Sequence, residues 1–372
     1  MTSLPGIFAA QDAAIAWNEM ERTGWWQDMA TCQQDPVYHA EGDVATHTRM
    51  VVDELRNLPT WQGLTEADRG VLLLAALLHD VGKPATTVTD DAGRITSPGH
   101  SRRGAILARQ LLYESGVPFA VREAVCALIR WHQRPFWVLE SASPERAVIT
   151  IAQTCRCDYL AVLAEADARG RVSPTLDNAL LHIALFAETA KDAVCYAAPY
   201  PFASDHSRFL YFRTPDRAPD YAAYDDTAGE IVLMSGLPGA GKDTLVQKEW
   251  AHLPVVSLDA LRIEHKIAHG GNQHAVISAA RELARTYLRR GEPFVWNATS
   301  INREQRDPVI ALAAEYRYRV RVVYVEAAWH VQQKRNKNRA APVPDAAIMR
   351  MMARWEPPDE TEAHTVERWF TG

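Results

Sequence analysis

Ile231-Val-Leu-Met-Ser235 runs directly into Gly236-Leu-Pro-Gly239-Ala240-Gly241-Lys242-Asp243-Thr244. The apolar run reads as a buried strand, the glycines end it, and a helical pattern starts at Lys242 and continues to His252. Strand, glycine loop and helix start, in that order, make a cradle for phosphate. The glycines let successive backbone N–H groups point inward, Lys242 reaches the β- and γ-phosphates, and the helix N-terminus adds its dipole. Gly236, Gly239, Ala240, Gly241, Lys242, Asp243 and Thr244 are therefore the expected contacts of ATP, or another nucleoside triphosphate, with Mg²⁺. A simple glycine turn before a helix would not explain the lysine. One residue departs from the pattern. The lysine is ordinarily followed by Ser or Thr, whose hydroxyl ligates Mg²⁺, whereas here Asp243 precedes Thr244. Asp243 offers a hard oxygen to the metal, either directly or through water.

From Glu230 onward strands and helices alternate. Strands are expected at Ile231–Ser235, Val255–Leu258, Phe294–Asn297 and Val320–Val325. Helices are expected at Lys242–His252, Asn272–Arg290, Arg303–Glu315, Trp329–Asn338 and Pro344–Trp355. Alternating units of this kind imply a parallel sheet covered by helices. The first 200 residues read differently. Apolar residues recur at three- and four-residue spacing in His47–Asn57, Glu66–His79, Arg102–Ser115, Val121–His132, Pro144–Arg169 and Asn178–Tyr196, with no convincing strand before residue 208. Residues 197–228 are rich in proline and read as a boundary, with Phe209-Leu-Tyr-Phe212 a candidate short strand.

Composition fits this division. A chain of 372 residues suggests two domains, and 47% hydrophobic with 23% charged residues excludes a disordered or fibrous chain. The longest apolar run, Val71–Leu78, is far shorter than the roughly 20 residues a membrane span needs. The N-terminal stretch lacks the basic region of a signal peptide. Five cysteines without a CxxC pair suit a reduced, cytoplasmic protein. A net charge of −6 and a pI near 6.1 give no global pull toward nucleic acid. Local basic density occurs at Arg317–Arg321 and Lys334–Arg339.

The helical half holds His47, His79-Asp80, His100, His132 and Asp167, each at a helix start or end, where side chains from several helices can converge on one cavity. Taken singly, each is more often a cap or a solvated residue; the joint pattern points to metal. Four imidazoles and two carboxylates, with no thiolate, suit Mn²⁺, Fe, Co²⁺, Ni²⁺ or Mg²⁺ better than a closed zinc site. Six donors exceed the need of one ion, so one or two transition metals are expected, with Asp80 bridging two. Lys83 and Arg171 are expected on the rim as anion binders, although Lys83 also suits a turn and Arg171 a helix C-terminus.

In the other half, the second strand leads into Ser257-Leu-Asp259-Ala-Leu-Arg262. A carboxylate at the C-terminal edge of a parallel sheet sits where ligands bind. It can take a proton from an acceptor hydroxyl, with Arg262 one turn on to hold a phosphate. The plainer reading is a helix cap and a surface arginine. Arg335 and Arg339, four apart, share a helix face that could close over a triphosphate; a solvated basic helix is the ordinary alternative.

The series His47, His79-Asp80, His100, His132, Asp167 resembles the HD superfamily of metal-dependent phosphohydrolases. Tyr38–His47, Leu77–Pro84 and Glu165–Arg171 resemble the HD modules of tRNA nucleotidyltransferases, which hydrolyse 2′,3′-cyclic phosphates and 2′-phosphates. His39 competes with His47 for the first ligand position. His47 is preferred because it opens a helix at the spacing typical of the superfamily, and His39 is left to contact substrate or to stand behind the metal. The phosphate loop, Asp259-x-x-Arg262 and Arg335-Asn-x-x-Arg339 resemble phage-type polynucleotide 5′-kinases. That resemblance implies Asp259 as general base, Arg262 as binder of the acceptor's 3′-phosphate, and Arg339 on ATP phosphate with Arg335 in support. Asn297–Asn302 has at most a supporting place.

Together the two halves resemble the bacterial HD-Pnk RNA end-healing proteins. The expected fold is multidomain: an all-α HD-type phosphohydrolase domain over 1–205, a boundary segment over 206–228, and an α/β P-loop kinase domain with a parallel sheet and a C-terminal helical lid over 229–372. The resemblance implies RNA or DNA ends as substrate, ATP as donor, an RNA ligase acting downstream and no membrane, with a homodimer compatible. Two alternatives stay open: a nucleotide phosphohydrolase fused to a small-molecule kinase, and an ATP-gated nucleotide-sensing regulator.

Overall fold

A computed structural model describes residues 15–267, 273–339 and 341–371. The leader reading at residues 1–14 and the helix start at Asn272 lie outside the described residues. The chain divides after Pro201 into two compact units.

The first unit is helical. Its longer helices are α1 Val44–Asn57, α2 Glu66–Leu78, α3 His100–Glu114, α4 Phe119–Trp131, α5 Pro144–Ala152, α6 Cys157–Arg169 and α7 Leu176–Asp192. Side-chain caps start several of them: Asp43 accepts from Thr46 N, Thr65 from Asp68 N and Ser143 from Arg146 N. Leu72 to Leu78 are buried without interruption, so α2 is apolar all round and forms the centre, with α1, α4 and α6 packed on it. Two expectations change here. The stretch Pro144–Arg169 is two helices bent by 104°, because residues 153–156 leave the helix and α6 restarts at Cys157. A short antiparallel pair, Val88–Thr89 with Ile95–Thr96, precedes residue 208. Among the described residues no single helix is long and apolar enough to cross a membrane.

The second unit begins with α8, Asp205–Arg213, which was expected as linker with a short strand at Phe209–Phe212. Ser204 caps it by accepting from Ser207 N, and Phe209 and Tyr211 are buried, Phe209 within the second unit's core. A local cap and tertiary packing override the strand propensity of an aromatic run. There follow β1 Gly229–Ser235, α9 Lys242–Glu249, β2 Val255–Ser257, α10 Leu258–Glu264, α11 Gln273–Arg289, β3 Val295–Asn297, α12 Arg303–Glu315, β4 Tyr318–Ala327, α13 Trp329–Lys337, α14 Asp345–Met352 and β5 Thr365–Thr371. The sheet order is β2-β3-β1-β4-β5, with every pairing parallel. On β1, Ile231 and Leu233 face one apolar cluster and Val232 and Met234 the other, as a sheet covered on both faces requires. β5 was not foreseen: where a helical lid was expected to end the chain, a strand pairs with β4 from Arg321↔Thr365 to Ala327↔Thr371.

Candidate functional site

The metal candidates converge in the first unit. α1 brings His47 in its first turn. The C-terminus of α2 brings His79 and Asp80, the first residue of α3 is His100, the C-cap of α4 is His132, and the last turn of α6 brings Asp167. All are buried except His100, which is partly exposed.

Backbone carbonyls orient the rings. His79 Nδ1 donates to Ala76 O, His100 Nδ1 to Ser97 O and His132 Nδ1 to Ile129 O, each at 2.8 Å. A carbonyl only accepts, so each Nδ1 carries the proton and each Nε2 presents a lone pair to the centre. Burial, then the neighbouring His100, lowers His132 to about 3, which keeps it neutral. Burial also lowers His100.

These lone pairs face acceptors rather than donors. His100 Nε2 and His132 Nε2 lie 3.2 Å apart. His47 differs: its Nδ1 faces Gly170 O and Glu41, its Nε2 lies 3.1 Å from Asp167 Oδ1, and Asp167 and Glu41 together raise its pKa against burial. His79 Nε2 and Asp80 Oδ1 are buried without a hydrogen bond. Acceptors held together this way need a cation between them, so the donor set fits a metal. Asp80 is shared between two groups whose ligand atoms all lie within 4.8 Å: His47, His79 and Asp80, and Asp80, His100 and His132. Its Oδ2 is 3.2 Å from His79 Nε2 and 3.8 Å from His47 Nε2. Its Oδ1 is 3.4 Å from His100 Nε2 and 3.7 Å from His132 Nε2. Each carboxylate oxygen thus faces its own pair of imidazoles. Burial opposes ionisation of Asp80, yet His79 and Lys83 hold its carboxyl well below the usual range. Asp167 is held low despite burial by Arg171 and His47.

Lys83 and Arg171 do not stand on the rim as expected. Lys83 Nζ is 2.7 Å from Asp80 Oδ2 and donates to Gln34 Oε1 at 2.6 Å, while Arg171 donates to both oxygens of Asp167. Both cations neutralise the carboxylates of the cluster. His39 bonds Glu41 at 2.8 Å and its ring lies 4.9 Å from that of His47, so it stands behind His47. Sequence reasoning missed Glu41, which reaches His47 Nδ1 at 3.0 Å, and two glycines. A Cβ on Gly82 would fall 2.2 Å from His100 O, and one on Gly170, whose carbonyl accepts from His47, would fall 2.8 Å from Val51 N. Those close approaches set the His79-Asp80 turn against α3 and the end of α6 against α1.

In the second unit the phosphate loop joins β1 to α9. Gly236, Gly239 and Gly241 have φ of 147°, 82° and 103°, and a Cβ on Gly236 would meet Val325 O at 2.3 Å. Lys242 Nζ donates to Gly236 O at 2.8 Å and Leu237 O at 3.1 Å, which folds it over its own loop. Burial lowers it to about 8, and the charges acting on it are those of Asp243, Arg339 and Asp259. One electrostatic neighbourhood therefore contains all four. Ala240 is buried, and Thr244 is exposed.

Asp259 lies just past the end of β2. Ser257, not Asp259, caps α10 by accepting from Ala260 N, so the carboxylate has no capping role and pairs with Arg262 instead. Arg262 also donates to Gln273 at 2.9 Å. Arg335 and Arg339 do not share a helix face, because α13 ends at Lys337. Arg335 donates to Thr371 on β5, and Gln332 anchors α13 to Pro238 O of the loop. Asn297, at the end of β3, donates to Asp243 at 2.7 Å, and Asn302 caps α12. The basic stretch Arg317–Arg321 is neutralised: Arg317 pairs with Asp226, Arg319 with Asp225, and Arg321 with Glu230 and Glu367.

Comparison with known proteins divides along the same line. An HD domain profile matches residues 42–168 and an AAA domain profile matches residues 231–358. A multifunctional CCA protein of Thioalkalivibrio sulfidiphilus is 30% identical over 166 residues, 42% of this chain and 36% of its own length. An A-adding tRNA nucleotidyltransferase of Deinococcus radiodurans is 45% identical over 74 residues, 19% of this chain and 17% of its own. A CC-adding tRNA nucleotidyltransferase of Thermus thermophilus is 37% identical over 89 residues, 21% of this chain and 20% of its own. The chain thus spans about a third or less of the length of these relatives. Among solved structures, a Chloroflexus aurantiacus protein provisionally described as a kinase aligns over 39% of this chain and 87% of its own, at 18% identity and a TM-score of 0.34. The chain carries an N-terminal helical HD domain followed by an AAA domain of the P-loop kinase-like type, built on a five-stranded parallel sheet.

Proposed function

We propose that the protein heals RNA ends, with the HD domain hydrolysing 2′,3′-cyclic phosphates and 2′-phosphates and the P-loop domain transferring the γ-phosphate of ATP to a 5′-OH polynucleotide end. Cleavage of RNA by its own 2′-OH leaves a cyclic phosphate on one end and a 5′-OH on the other, and a ligase can use neither. The two activities convert that pair into ends that an RNA ligase joins.

The observation that carries the reading is Asp80 lying between two imidazole pairs, in the same chain as a glycine phosphate loop and an Asp259–Arg262 pair just past the second strand of the sheet. Metals bound by His47, His79, Asp80, His100, His132 and Asp167 would supply Lewis-acid polarisation and a water of lowered pKa. The protein's own groups do the rest. The backbone carbonyls fix the tautomers of His79, His100 and His132, and Lys83 and Arg171 balance the carboxylates. The tRNA-directed names of the partial relatives support an RNA end as the substrate of the first site.

At the second site Asp259 accepts the proton of the acceptor 5′-OH as its oxygen bonds to the γ-phosphorus and the bond to ADP breaks. Arg262 holds a neighbouring phosphate of the acceptor, and Lys242 and Arg339 hold the transferring charge. The test is incubation with an RNA strand bearing a 5′-OH and a 2′,3′-cyclic phosphate, with ATP and Mn²⁺, reading both ends. Conversion of both supports the reading. Neither end changing, with activity on free nucleotides or a small alcohol instead, rejects it.

A further inference from the structure

The place where the loop departs from the usual pattern coincides with a second departure, on the neighbouring strand. In P-loop enzymes generally, the Mg²⁺ that accompanies the nucleotide is held by the hydroxyl after the loop lysine and by an aspartate from a strand beside the loop. Here the residue after Lys242 is Asp243, and the residue ending β3, the strand hydrogen-bonded directly to β1, is Asn297. The carboxylate and the neutral oxygen have changed places. The two side chains touch: Asn297 Nδ2 donates to Asp243 Oδ1 at 2.7 Å. An ionised carboxylate only accepts, so the amide must present its NH₂ and its orientation is fixed. Asp243 Oδ2 and Asn297 Oδ1 then have no hydrogen bond among the described residues. Asp243 is exposed in the first turn of α9, directly after Lys242.

We infer that Asp243 is the protein's carboxylate ligand for the nucleotide's Mg²⁺, and that Asn297 is the positioning residue that turns it toward the ion. The pair is a reciprocal exchange of the usual hydroxyl and carboxylate. The site keeps one negative charge, which matches the usual total, and keeps hard oxygens within reach of an octahedral ion. This rests on reading the loop as an ATP site.

The test measures how much Mg²⁺ tightens binding of a non-hydrolysable ATP analogue, by calorimetry with and without the ion. That ratio is a coupling between ion and nucleotide, so ions bound at the imidazole cluster do not enter it. Wild type should show tightening of at least about tenfold. Asp243→Ala should lose most of it while still binding the metal-free analogue, since Lys242 and the loop N–H groups remain. Asn297→Ala should reduce it less. The exchange Asp243→Ser with Asn297→Asp should recover the coupling lost by Asp243→Ser alone, the non-additivity expected of two groups acting on one ion. Full coupling in Asp243→Ala, or no recovery in the exchanged pair when it is folded by circular dichroism, overturns the inference. If wild type binds no analogue under any condition, the ATP-site reading fails and takes the inference with it.

Discussion

The two sites are built by opposite means. In the HD domain the chemistry lies in side chains that are buried and fixed before any ligand arrives, with ring nitrogens tied to carbonyls at 2.8 Å. In the kinase-like domain the glycine loop is backbone, and the carboxylate of Asp259, the proposed general base, stands in solvent, its side chain 64% exposed. A buried cluster of acceptors is costly without its cation, so the first site is committed to metal. The second is inexpensive to maintain empty and is completed by nucleotide and acceptor. The first should therefore fail when any ligand is removed, and the second should respond to single changes in graded ways.

The largest expected effect follows from that commitment. Asp80→Ala removes the oxygen atoms common to both imidazole pairs and should reduce 3′-end hydrolysis to background, with 5′ phosphorylation unchanged, because every proposed metal ligand comes from the first unit. Parallel assays of the two ends check this, and loss of both activities in a folded variant would break the contrast. Next is Asp259→Asn, which keeps shape but cannot take the proton. It should lower kcat for phosphoryl transfer by roughly 10²–10⁴-fold with little change in KM for ATP. A kcat within twofold of wild type would remove Asp259 from the mechanism.

Glu41 bonds His47 on the side away from Asp167, so Glu41→Gln should weaken metal affinity by about 10–100-fold, read by competition with a chelator. Unchanged affinity would show that the carbonyl of Gly170 alone suffices. The smallest effect concerns Lys242, lowered to about 8 by burial. Below that pH the lysine is already protonated, and affinity for ATP should be flat. Above it, binding must take up a proton, so the Kd should rise by up to about tenfold per pH unit until the pKa of the bound lysine is reached. Calorimetry from pH 7 to 9.5 measures the profile, and a flat profile throughout would place the free lysine's pKa higher.

What the sequence disclosed divides along the same line. The phosphate loop and the six metal candidates were legible because their chemistry restricts residue type: only glycine adopts the φ of Gly236 at that distance from Val325, and His and Asp at helix ends have few other reasons to occur together. Glu41 and Gln34 were not legible, since a lone acid or amide in a loop has no periodicity to mark it. Gly82 was visible only as a turn residue, because its contact with His100 O joins segments 18 residues apart. Elements failed where local preference and tertiary context disagreed. Phe209-Leu-Tyr-Phe212 has strand-type residues but a helix cap at Ser204. The break between α5 and α6 carries neither proline nor glycine. The strand Thr365–Thr371 follows no crossover helix long enough to announce it, yet it closes the sheet and supplies Thr371 to Arg335. Arg335 and Arg339 share no helix face because the helix stops two residues short of Arg339, where no proline or glycine marks its end.

One chain is proposed to carry two end-directed activities at two sites. One RNA strand with a 5′-OH and a 2′,3′-cyclic phosphate, given ATP and Mn²⁺, tests it with three proteins side by side: wild type, Asp80→Ala and Lys242→Ala. Wild type should convert both ends, Asp80→Ala should leave the cyclic phosphate while phosphorylating the 5′ end, and Lys242→Ala should do the reverse. A wild type that leaves both ends untouched, or variants that lose both activities together while folded, would contradict it.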